Sequence, residues 1–460
     1  MDLSGAEPPA ARRGPRHRRP TRLRRAIGPD TSSKVLAGTV VALLLCVVVL
    51  GSITAVRNPR WSPIDEAAHF SYIEQIAQHG SLPVLGKTFV SEPVLAIGQG
   101  RYPRQATVSA RHDGLTGLSY EAFQPPLYYA LAVPVFDLSS NYETKAILLR
   151  FFDLALLLVS IGLFARLCRL MLKRQWLYGM AAGMVAFALP GVVVLSVLIS
   201  NMALETPLVI ACVTELWLAW ERTSTARVLS AGVLLGLALL TDLFGLALVP
   251  AVVVVALAVL WHRHGLRDVA MVAGGAVVAV LMVSPWLAFN ERTYHALTAS
   301  AIAKREQAPV VNPHHLHYTL GLVARLTVEK LFAPAVPQGW TLSGTGIVEW
   351  VPDVLGAVLV AAPLLVGAMS LRRIGSRGYW LTAIPWLSSA AMCWAISLGG
   401  QWLTMHSRYT YPMLAVLVLG LAAWAVSTMK DLRYFVAVVV ACTLLVGVSW
   451  AALFPQIATR

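Results

Sequence analysis

Charge is scarce in this chain. Asp, Glu, Lys and Arg make up 13% of its 460 residues, about half the roughly 25% of a soluble domain. That argues against a fold solvated on all sides. Cysteine is scarce too. Cys46, Cys168, Cys212, Cys393 and Cys442 form no CxxC pair, which argues against a disulfide framework or a zinc site and reads as small buried hydrophobes. No tandem repeat is evident. Polar residues lead the first apolar run for too long, and that run, at about 20 residues, is too long for the core of a cleavable signal peptide.

What the chain has instead is apolar length. Hydrophobic residues are 57% of the total, and runs near 20 residues, enough to cross a bilayer, recur from end to end. They fall near 35–55, 146–166, 176–199, 203–220, 228–241, 244–261, 269–289, 351–370, 379–397, 409–427 and 433–453. The expected fold class is an all-α polytopic membrane protein of about eleven transmembrane helices. Residues 1–33, rich in Arg, Pro and Ser, read as a disordered basic tail, and 34–460 as one transmembrane domain.

The net charge of +14 invites a nucleic-acid reading, which its placement argues against. "ARRGPRHRRPTRLRR" directly precedes the first span, where basic residues hold a terminus on the cytoplasmic side and meet anionic headgroups. The connections "RLCRLMLKRQ", "ERTSTAR", "WHRHGLRD", "LRRIGSRG" and "MKDLR" are short and basic, as cytoplasmic loops are. The expected location is therefore the cell membrane, with the N-terminus inside and the C-terminus outside. The long polar stretches 56–145 and 290–350 would be extracytoplasmic.

The first of these stretches holds "WSPIDEAAHFSYIEQIAQHGSLPV". Pro63 and Gly80 bracket a short helix, and the i, i+4, i+7, i+11 spacing puts Asp65, His69, Tyr72 and Ile76 on one face. A carboxylate at mid-bilayer costs about 2.5–3.5 kcal/mol or more, whereas just past a span it meets water while facing lipid. The helix is expected to lie in the interface, polar at its catalytic end and anchored on its apolar side. The plainer reading of Asp65 and Glu66 is an N-terminal cap favoured by the helix dipole. Arg150 and Asp153, i and i+3, are expected to neutralise each other. Glu215 lies inside a span and needs a partner. His314, His315 and His317 of "NPHHLHY" could join Asp65 and His69 around a divalent metal, although no firm helical ligand spacing supports it and the expectation is no cofactor.

The motif resembles the first outer-loop signature of the GT-C superfamily of membrane glycosyltransferases, in the group of protein O-mannosyltransferases, lipid A aminoarabinose transferases and rhizobial lipopolysaccharide sugar transferases. "YEAFQPPLYYAL" (120–131), "SPWLAFNERTYH" (284–295) and "HSRYTYPML" (406–414) resemble further motifs of that superfamily, in the same order. The resemblance implies a GT-C-like fold and an enzyme of the cell envelope. It would transfer a sugar from a polyprenyl-phosphate donor to a glycan, lipid or protein acceptor, inverting the anomeric carbon. Asp65 would be the general base, with Glu66 beside it; His69, Tyr72, Gln124, Arg408 and Tyr409 would bind substrate, Arg408 gripping phosphate through its planar fork. The chain departs from the family pattern at Phe123, at Asn201-Met202, at Asp242 in the place of a Lys, and at Phe289. Competing readings are a transporter or flippase, which inverted repeats or paired broken spans would favour, and a non-catalytic partner in envelope assembly.

Overall fold

The structure is a computed structural model, and it describes residues 29–58, 61, 65–97, 119–298, 365–366, 377–398, 409–429 and 431–458. These residues are helical, with no strand among them. The elements are α1 (Pro29–Arg57), α2 (Glu66–His79), α3 (Glu92–Ile97), a 3-10 turn (Tyr120–Phe123), α4 (Leu127–Phe136), α5 (Tyr142–Leu172), a second 3-10 turn (Lys173–Gln175), α6 (Trp176–Phe187), α7 (Pro190–Val197), α8 (Met202–Arg222), α9 (Thr225–Leu239), a third 3-10 turn (Leu243–Leu248), α10 (Val249–His262), α11 (Leu266–Tyr294), α12 (Arg377–Leu398), α13 (Tyr411–Thr428) and α14 (Arg433–Ala458).

Seven helical stretches among the described residues are long and apolar enough to cross a membrane, so the chain is a multi-pass membrane protein. The difference from eleven has identifiable causes. Residues 351–370 lie largely outside the described residues. The run 176–199 is not one helix: Leu189 is extended (ψ 133°) and Pro190 restarts the helix at α7, since proline has no N–H and its ring collides with the preceding turn. The break frees the Ala188 carbonyl, which accepts from Trp450 Nε1 at 2.8 Å. The 3-10 turn Lys173–Gln175 joins α5 to α6 without an unassigned gap, so residues 142–187 count as one stretch. α9 is apolar but only 15 residues long, about 22 Å at 1.5 Å per residue.

Among the described residues the two largest apolar clusters form separate cores. The larger runs through the bundle from α1 to α14 and includes Phe164, Met184, Val209, Leu216 and Leu417. Close approach there depends on small residues: a Cβ on Gly232 of α9 would collide with the backbone of Gly275 in α11. The smaller core sits at one end, where α2, α3 and α4 cover the ends of α5 and α8. Its centre is Phe70, Tyr72, Ile73, Tyr128, Tyr129 and Phe136. Leu85 N donates to Tyr294 Oη at 2.9 Å and Leu127 N to Leu240 O at 2.9 Å, pinning this cap to the ends of α11 and α9. The short basic connections after α5, α8 and α10 lie at the other end of their helices. There Glu215 finds the partner it needs, Arg227 at 2.8 Å.

Candidate functional site

α2 begins where expected and ends on Gly80, whose φ of 62° closes the helix by donating to Ile76 O. It does not lie exposed in an interface. Residues 66–74 are all buried, because α4 and the turn Tyr120–Phe123 pack on the helix and Arg150 of α5 and the backbone ahead of α8 meet its first residue.

Asp65 stands at the N-cap but does not cap. Its side chain makes no capping hydrogen bond, and its backbone is left-handed, φ 57° and ψ 0°, a conformation that Asp and Asn tolerate better than most residues. Its carbonyl accepts from Ala68 N and His69 N, both at 3.0 Å. Its Oδ1 accepts from Tyr120 Oη at 2.7 Å. The residue as a whole is 9% exposed, at the edge of full burial.

Glu66 is fully buried. Arg150 grips it with both arms, Nε to Oε1 and Nη2 to Oε2, each at 2.7 Å. Arg150 also donates through Nη1 to Ala55 O at 3.2 Å and Asn58 O at 3.0 Å. One guanidinium thus ties the end of α1 and the start of α2 to α5. The mutual neutralisation expected of Arg150 and Asp153 is not what forms. Asp153 instead accepts Tyr128 Oη on both oxygens at 2.9 Å and Ser200 N at 3.3 Å, while Glu66 accepts Ile199 N at 3.4 Å. Two carboxylates therefore serve the backbone amides left open between α7 and α8.

His69 and Tyr72 do share a face, and that face meets α4. His69 Nδ1 is 2.7 Å from Tyr129 Oη, and Tyr72 stacks on Tyr129 with centroids 3.8 Å apart. Burial pushes both tyrosine hydroxyls well above their ordinary range, helped for Tyr129 by the charge of Glu121. Both stay protonated and available as donors. Tyr72 donates to the Gln124 carbonyl at 3.1 Å. The Gln124 side chain accepts from Asn201 Nδ2 at 3.3 Å, and Asn201 also donates to Asp242 Oδ2 at 2.9 Å. Asp242 in turn caps the third 3-10 turn by accepting Phe244 N at 2.8 Å. Phe244 stacks on Tyr409 at 4.4 Å, so Tyr409 reaches the same end of the bundle.

Of the seven expected site residues, six are thereby gathered at this end: Asp65, Glu66, His69, Tyr72, Gln124 and Tyr409. Arg408 lies outside the described residues, as do His314, His315 and His317. Among the described residues, no group of three or more His, Cys, Asp or Glu is placed to hold a metal ion. Sequence reasoning missed Tyr120 and Tyr129, although both sit inside the quoted "YEAFQPPLYYAL". Tyrosines near a span end read as interface anchors, and only the packing turns them inward.

No protein-family model matches the chain, and no curated protein matches it in sequence. Two solved structures align along most of it. One is ArnT from Cupriavidus metallidurans bound to undecaprenyl phosphate, at 16% identity over 92% of this chain and 81% of that one, with a TM-score of 0.40. The other is the archaeal oligosaccharyltransferase AglB from Archaeoglobus fulgidus, in complex with an inhibitory peptide and a dolichol-phosphate, at 16% identity over 90% of this chain and a TM-score of 0.38. This chain spans 55% of the length of AglB.

Proposed function

We propose that the protein transfers a sugar from a polyprenyl-phosphate donor to an acceptor hydroxyl on the extracytoplasmic side of the membrane, with Asp65 as general base. The acceptor oxygen attacks the anomeric carbon, and the bond from that carbon to phosphate breaks. The polyprenyl phosphate leaves with the electron pair, the acceptor proton passes to Asp65, and the anomeric centre inverts. The observation that carries this reading is the state of Asp65: a carboxylate almost withdrawn from water, clamped by Tyr120 at 2.7 Å, and displayed by a left-handed backbone at the capped end of the bundle. A base must lie within hydrogen-bond reach of its proton, and a carboxylate at this level can meet a hydroxyl from water and a donor from lipid. The donor class is the one the four sequence motifs imply, and Arg408 is the residue we assign to its phosphate.

Glu66, held at both oxygens by Arg150, serves as the anchor that sets the start of α2 and with it Asp65. The test is transfer from a synthetic polyprenyl-phosphate sugar by purified protein, with donor binding measured separately. Asp65→Asn keeps shape and tolerates the left-handed backbone but cannot take the proton. Transfer is expected to fall by about 10²–10⁴-fold with donor binding retained. Normal transfer by Asp65→Asn would sink the assignment. Loss of activity in Arg408→Lys, which keeps charge but not the fork, would mark that residue as the phosphate grip.

A further inference from the structure

The short turn Tyr120–Phe123 connects the candidate base to the rest of the site. Tyr120 is buried, 6% exposed, and its hydroxyl donates to Asp65 Oδ1 across 55 positions of sequence. The turn cannot drift. Ser119 N donates to Thr88 O at 3.0 Å and Gln124 N to Glu121 O at 2.9 Å. At its far end Gln124 is held by Tyr72 through its carbonyl and by Asn201 through its side chain. Ala68 of α2 packs in one small cluster with Tyr120 and Ala122, so turn and helix move as one body.

An ionised carboxylate has about four acceptor positions on two oxygens. A tyrosine hydroxyl on Oδ1 occupies one of these positions and biases the group toward one orientation. Resting on the reading that Asp65 is the base, we propose that Tyr120 is its positioning residue: it orients the Asp65 carboxylate for proton transfer without touching the substrates. Asp65 makes no capping bond to its own helix, and the turn brings the Tyr120 hydroxyl to its carboxylate from outside that helix.

Tyr120→Phe removes one oxygen and keeps the ring. It is expected to lower kcat by about 10- to 100-fold, the cost of a misplaced reacting group, while the KM for the donor and the melting temperature hold. The deciding measurement is a double-mutant cycle. In the Asp65→Asn background Tyr120→Phe should change residual transfer by less than about twofold, because a residue that acts only through Asp65 has nothing left to act on. A further loss there, equal to its loss in the wild-type background, would overturn the proposal. So would a Tyr120→Phe enzyme with unchanged kcat. If Tyr120→Phe fails to fold, 3,5-difluorotyrosine at position 120 keeps shape and hydroxyl while altering donor strength; kcat should then change, and an unchanged kcat overturns the assignment. The two readings fail separately: normal transfer by Asp65→Asn removes the base itself, whereas loss in Asp65→Asn with normal Tyr120→Phe removes only the positioning.

Discussion

At the scale of single residues, adjacent acids have taken opposite parts. Asp65 is presented and Glu66 is consumed. Removing one partner from a buried ion pair strands the other charge, at a typical cost of about 3–5 kcal/mol, whereas replacing both with apolar side chains is often neutral. Glu66→Gln and Arg150→Gln should each lower the melting temperature steeply, and Glu66→Met with Arg150→Met should recover part of it, the two carbonyls that Arg150 serves remaining unserved. A Glu66→Gln protein that melts as wild type yet transfers no sugar would instead make Glu66 part of the chemistry. Glu205 poses the reverse case. It is fully buried in α8, and neither of its oxygens has a hydrogen-bond partner among the described residues. An unsatisfied buried polar group costs about 1–3 kcal/mol or more, so Glu205→Met, similar in size, should raise the melting temperature. A fall would mean that the carboxylate is satisfied by something bound there.

At the scale of elements, α9 and α11 run unusually close because Gly232 faces Gly275. Gly232→Leu must push the helices apart. Since α9 also ends at Thr241 and Asp242, which hold Asn201, the displacement should reach the site. The expected outcome is a lower melting temperature together with weaker donor binding. A variant that melts lower but binds donor normally would separate packing from site geometry. α2 makes the complementary point. Its limits were legible in "PIDEAAHFSYIEQIAQHG", because Gly80 supplies the left-handed closure that the sequence advertises. Its burial was not, since the amphipathic pattern says which face is apolar but not how many elements will cover the helix.

For the whole molecule, the cap and the basic loops sort to opposite ends of the bundle. α2, α3 and α4 gather at one end and the connections after α5, α8 and α10 at the other. If the basic end is cytoplasmic, as the positive-inside rule requires, a cysteine at exposed Ser140 should label with a membrane-impermeant thiol reagent in intact cells, and one at exposed His264 should not. The background should lack the five native cysteines. Labelling at position 264 with protection at 140 would invert the orientation.

The sequence by itself determined the class of molecule and the address of its candidate site. Apolar runs of bilayer length admit little but spanning helices, because backbone groups in lipid must be satisfied within the segment, and clustered polar motifs beside those runs marked the end where chemistry can occur. Which partner each charge would take was decided only by the tertiary structure. Arg150 lies three residues from Asp153 and 84 from Glu66, yet it pairs with Glu66, because the broken backbone between α7 and α8 brings free amides to Asp153 and leaves the guanidinium facing α2. Local spacing sets which contacts are cheap to form. The packing of distant segments sets which ones are needed, and inside a low-dielectric bundle an unmet need costs more than a long loop.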